Sequence, residues 1–192
     1  MTSIFYSLLI PVICLFEILF GTFTLFWTAL TFLLSAPPFE YSVSAIGLVG
    51  LAGLAGALAA RGAGRLHDRG LSVPVTGGAL ALALTSLVLA WLGQTSIVAL
   101  LVAILAFDIA TQASLILNQT RLLSINPATR SRMNTAFVTG NFIGGALGSA
   151  LAGGLWQVGG WPAVLLGGAS AITIALLVWA TNRHHLTKAA QT

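Results

Sequence analysis

A chain of 192 residues that is 57% hydrophobic and 6% charged lies outside the range of soluble domains, where about 25% of residues are charged. A surface so poor in charge excludes a water-soluble fold and implies an integral membrane protein. The net charge of +4, from 8 Lys+Arg against 4 Asp+Glu, is then first a topology signal and only weakly a sign of nucleic-acid binding.

Cys14 is the only cysteine, so no internal disulfide can form. The first residues carry no basic charge, and the apolar run over 5–34 is too long for a leader, so no cleaved signal is expected.

A helix needs roughly 20 apolar residues to cross the hydrocarbon core. The sequence predicts six such helices, at about 4–35, 43–61, 73–93, 96–121, 130–157 and 162–181, in one domain over 1–192. Barrel strands would be about 10 residues long and alternating, which these runs are not. The expected fold is an all-α membrane protein. Pro11 marks a break before the true span of the first helix, and counting back from Ser35 then places Glu17 near that span's edge.

The loops alternate in charge. Loop 35–42 holds only Glu40, and loops 93–96 and 158–161 hold none. Arg61, Arg65 and Arg69 fall in the second loop, Arg121, Arg130 and Arg132 in the fourth, and Arg183 and Lys188 in the tail. All 8 basic residues therefore sit on one side, which puts both termini in the cytoplasm; a bacterial inner membrane is the expected location. Trp91, Trp156 and Trp161 stand at the outer ends and Trp179 at the inner end, as interfacial tryptophans do.

Helix 1 carries a polar or small stripe, Glu17, Gly21, Thr24, Thr28, Thr31 and Ser35. Helix 4 has a similar one, with Asp108, Thr111, Gln112 and Gln119. Helices 2 and 5 are glycine-rich: Gly47, Gly50, Gly53 and Gly56 in one, Gly140, Gly144 and Gly148 in the other, beside a second row of Gly145, Ser149 and Gly153. Small residues four apart let helices approach closely in lipid. Helices 3 and 6 are mainly aliphatic, as lipid-facing helices would be. The order polar, glycine-rich, aliphatic occurs twice, and three helices per copy give two inverted three-helix repeats, a signature of secondary transporters.

Between helices 2 and 3 lies the most charged stretch, Gly64-Arg65-Leu66-His67-Asp68-Arg69-Gly70. It resembles the loop motif G-x-L-x-D-R of the major facilitator superfamily. Asp108-x-x-x-Gln112, Asn118-Gln119 and the run from Asn126-Pro127 to Asn134-Thr135 are similar to the tenth and eleventh helices of that family. Gly140-Asn141-Phe142-Ile143-Gly144-Gly145 resembles the antiporter motif G-P-x-x-G-G, with Asn141 in the place of proline.

The resemblance covers the whole chain and is to the C-terminal six-helix half of a proton-coupled drug or metabolite transporter. It implies rocking of two halves around a central cavity, a second six-helix half (a copy of this chain or a missing N-terminal half) and a small-molecule substrate beside the lipid bilayer. It implies also a gating loop of Gly64, Arg65, Asp68, Arg69 and Gly70, in which Asp68 caps a helix of the other half. Asn126-Pro127 reads as a helix start that would receive the matching acid.

Asp108 and Glu17 are the candidate proton-coupling acids, since an ionisable group inside a span costs about 2.5–3.5 kcal/mol and is functional by default. The packing alternative for Asp108 is a hydrogen bond to a neighbouring helix. Thr24, Trp27, Thr28, Thr111, Gln112, Gln119 and Asn141 are candidate cavity residues, or else links between helices. Gly53, Gly56, Gly140, Gly144 and Gly148 are either tight packing features between helices or, in the sharper reading, the contact with the other half. No Cys/His cluster has metal spacing, no cofactor is implied, and no His or Lys base lies at membrane depth, so an enzyme is not expected. The alternative to a transporter is a truncated or self-associating membrane protein that carries nothing.

Overall fold

The computed structural model describes residues 2–53, 69–124 and 130–189. Every regular element among them is helical: α1 (Thr2–Ser35), α2 (Val43–Gly50) continued by a 3-10 turn (Leu51–Gly53), α3 (Ser72–Leu92), α4 (Ile97–Ser124) and α5 (Arg130–Ala189). Four of these, α1, α3, α4 and α5, are long and apolar enough to cross a bilayer, which makes this an all-helical integral membrane protein. The predicted second helix is described only as far as Gly53. Gly56, Gly64, Arg65, Asp68 and the Asn126-Pro127 helix start lie outside the described residues.

α1 runs unbroken past Pro11 to Ser35, so that proline does not end the helix. The predicted fifth and sixth helices are the two arms of α5, which break at Gly159 (φ −157°, ψ 21°) and Gly160 (φ 60°, ψ −150°), within the expected loop 158–161. The positive φ of Gly160 suits a residue without Cβ. Pro162 follows in the first turn of the second arm, where its missing N–H leaves no helical bond unmade.

Contacts give the helix directions. α1 and the first arm of α5 run parallel: Glu17 lies beside Gly140, Thr28 beside Ser149 and Phe32 beside Trp156. The second arm runs antiparallel to α3, pinned at both ends. Trp161 Nε1 donates to Ala90 O at 3.2 Å and Trp179 Nε1 donates to Val73 O at 2.9 Å. Gly77 leaves room for the Trp179 ring, where a Cβ would collide. Trp161, expected at the lipid interface, is therefore an internal tie, only 2% exposed. α3 turns back into α4, whose first turn is capped by Ser96 Oγ accepting the Ala99 N–H.

The core lies where α1, α3, α4 and α5 meet. Phe26, Phe107, Leu30, Leu80, Leu100 and Ile104 are its fully buried centre. The Phe26 ring packs at a tilt against Phe107, centroids 4.5 Å apart, and lies 5.6 Å from the Trp161 ring. Ala79, Ala83, Ser86 and Ala90 give α3 a small-residue inner face, so this helix is buried on one side rather than wholly lipid-facing.

Candidate functional site

Asp108 stands at the middle of the 25-residue span Ile97–Arg121 and is 1% exposed. Its Oδ1 accepts the Trp27 Nε1–H at 3.0 Å, which ties α4 to α1. On the other side lies Gly53 of the 3-10 turn, where a Cβ would come 3.0 Å from Asp108 Oδ2 and 3.6 Å from the Trp27 ring. Glycine there leaves the second oxygen its space. Three elements thus converge on one carboxylate, and Phe26, next to Trp27, turns instead to the apolar layer with Phe107.

A buried carboxylate held, among the described residues, by one neutral donor is a group that a proton or a cation can neutralise. Trp27→Phe keeps an aromatic side chain, though a smaller one, and removes the donor, leaving a buried acceptor unmatched, which costs about 1–3 kcal/mol. The thermal midpoint in detergent is expected to fall. The fall should be smaller in an Asp108→Leu background, a double-mutant cycle that isolates the pair.

The other predicted polar residues divide. Gln112 and Gln119 follow Asp108 by four and eleven positions, on its side of α4, and are half-buried. Asn141 is half-buried too, and its Oδ1 is enclosed without a hydrogen-bond partner. The Thr111 hydroxyl donates to Phe107 O at 2.8 Å within its own helix. Thr24 Oγ1 donates to Gly145 O at 3.1 Å and Thr28 Oγ1 to Ser149 Oγ at 3.2 Å, so both threonines are joined to α5.

The glycine row of α5 meets α1 of the same chain. A Cβ on Gly144 would come 3.1 Å from Glu17 O, and one on Gly21 would come 3.1 Å from Gly144 O. A Cβ on Gly148 would collide with Gly21 O and Thr24 Oγ1. Gly140, Gly144 and Gly148, which the sharper reading sets against another half, thus have their close approach within the chain, because α1 offers Gly21 to receive them.

One feature escaped the reading by loops. Arg121, counted there as a loop charge, is inside α4 and 5% exposed. Its guanidinium donates to Asn118 Oδ1 at 3.0 Å, Ser72 Oγ at 2.7 Å and Thr76 Oγ1 at 3.5 Å. The signal was present as Ser72 and Thr76 four apart facing Asn118 and Arg121 three apart. Gly70, the last residue of the predicted gating loop, has φ 70°, a left-handed turn before α3 beside Arg69. Among the described residues no group of three His, Cys, Asp or Glu could hold a metal ion.

No protein-family model matches the chain, and no solved structure does. The chain is similar to the uncharacterized transporter YgaY of Escherichia coli O157:H7, 46% identical over 165 residues that cover 86% of this chain and 42% of the relative. It is similar also to the probable transporter SCO4007 of Streptomyces coelicolor, 39% identical over 161 residues, 83% of this chain and 36% of that one. The chain spans less than half the length of these curated relatives.

Proposed function

We propose that this chain is one six-helix half of a major-facilitator-type transporter, built as two inverted three-helix repeats. It moves a small molecule outward against a proton gradient by alternating access. The observation that carries the reading is Asp108, a buried acid at mid-span whose carboxylate touches a second helix through Trp27. The relatives supply the class, since both are named transporters and both are more than twice as long as the aligned segment.

In this reading Asp108 takes up and releases the coupling proton. Trp27, Gln112 and Gln119 face the substrate beside it, and Asn141 completes the wall from α5. The second half, another copy or a separate segment, closes the cavity against the exposed apolar residues Val43, Leu48 and Leu51 and against Phe142. Gly64 to Gly70 gates the cytoplasmic face, with both termini on that side of an inner membrane. Nothing in the reading calls for an enzyme, a cofactor or nucleic acid.

The test is uptake into proteoliposomes under an imposed pH gradient, with a panel of lipophilic amines and small metabolites. Flux above empty vesicles that vanishes in Asp108→Asn supports the reading. Background flux from the wild-type chain, both alone and co-expressed with a second half, would leave a non-transporting, self-associating protein.

A further inference from the structure

A large groove lies apart from Asp108. It holds about 890 Å³ between α1 and the two arms of α5, lined by Glu17, Ile143, Leu147, Leu151, Leu155 and Gly167 among others. That volume is in the range of ligand sites, about 300–1,000 Å³. Its rim is apolar along the arm: Ile143, Leu147 and Leu151 are all exposed, Leu147 by 59%. From Gly140 to Leu155 the arm rises about 22 Å, comparable with one extended acyl chain.

Glu17 is the only charged residue of the described lining. It stands about 27 Å along α1 from Ser35, near the far limit of a hydrocarbon core about 30 Å thick. Gly140 and Gly144 hold its carboxylate against the helix: a Cβ at Gly140 would collide with Oε1, and one at Gly144 would come 3.1 Å from Oε2. No hydrogen bond or ion pair joins Glu17 to another described residue. The nearby Thr22 hydroxyl is already used, donating to Ile18 O at 2.7 Å. A carboxylate at this depth wants a cation.

We propose that the groove is a binding site for a membrane aminophospholipid, its ammonium on Glu17 and one acyl chain along Leu147 and Leu151. An exposed apolar rim means that the occupant arrives from the bilayer rather than from water. A primary ammonium matches Glu17 in charge and donates hydrogen bonds, which a quaternary ammonium cannot. A glycerol or phosphate headgroup would bring no cation. The site does not depend on transport, so its fate and that of Asp108 are separable.

The test is native mass spectrometry of the intact chain with added dioleoyl phosphatidylethanolamine, phosphatidylcholine or phosphatidylglycerol. The wild type is expected to retain the ethanolamine lipid over the other two by about tenfold, the worth of a hydrogen bond to a charged group. Glu17→Gln is expected to lower it to the choline level. Leu147→Trp, which fills the groove from an exposed position, is expected to lower all three.

Unchanged ethanolamine binding in Glu17→Gln or in Leu147→Trp overturns the proposal. So does equal retention of phosphatidylglycerol, or a dimer that excludes lipid. Phosphatidylcholine bound as tightly as phosphatidylethanolamine also overturns it, because the hydrogen-bonding ammonium would then not be what is recognised.

Discussion

Asp108→Asn is expected to reduce pH-driven flux to the level of empty vesicles while the protein still folds. The substitution is nearly isosteric. Its Oδ1 can still accept the Trp27 indole N–H, which stands at 3.0 Å in the wild type. Loss of charge on one hydrogen bond costs about 1 kcal/mol of stability, and burial of a neutral amide in place of a carboxylate offsets part of that. Proton exchange, in contrast, is removed outright.

Two readouts separate these effects. Net uptake under a pH gradient should vanish, whereas substrate exchange at equal pH, which needs no net proton movement, should persist. A variant that loses both and also melts early would show Asp108 to be a packing residue. A variant that keeps gradient-driven uptake would remove Asp108 from the coupling role.

Gly148→Val is expected to destabilise the bundle strongly. A Cβ at Gly148 would collide with Gly21 O and Thr24 Oγ1, and the first of these is backbone that no rotamer can move. Overpacking costs about 1–3 kcal/mol where side chains can shift. Here α1 itself must move away from α5, so the upper end applies.

At about 3 kcal/mol the thermal midpoint would fall by roughly 6–12 °C, read by size-exclusion after heating in detergent. Gly153→Val on the same arm is the control, since a Cβ there meets nothing within 4 Å. Equal melting of the two variants would mean that the α1–α5 contact is not what orders the bundle.

These expectations separate what could be read along the chain from what could not. The apolar spans were legible because a helix in lipid must be apolar for its full length, a property of consecutive residues. Asp108 was legible as a candidate because a lone acid in such a span stands out. Its partner was not. Trp27 is 81 positions away, and nothing local distinguishes a tryptophan that donates to an acid from one that meets lipid.

Counting charges by loop puts Arg121 outside the membrane, because it assumes that charges lie outside the spans. Three side-chain oxygens from α3 and α4 make its burial tolerable.

The glycine rows show the same division. Their spacing of four foretold a close helix contact, and α5 makes one. Which helix would be the partner was not in the spacing, since any small-residue face accepts another.

By itself, then, the sequence determined that the chain is helical and membrane-embedded, and which side chains are costly to bury. Tertiary structure alone decided that Trp27 and Gly53 enclose Asp108, that α1 takes up the glycine row, and that Glu17 opens onto an apolar groove. The reason is physical: hydropathy is set by neighbours in the chain, whereas a buried polar group is matched by whatever the packing of distant helices brings within hydrogen-bond reach.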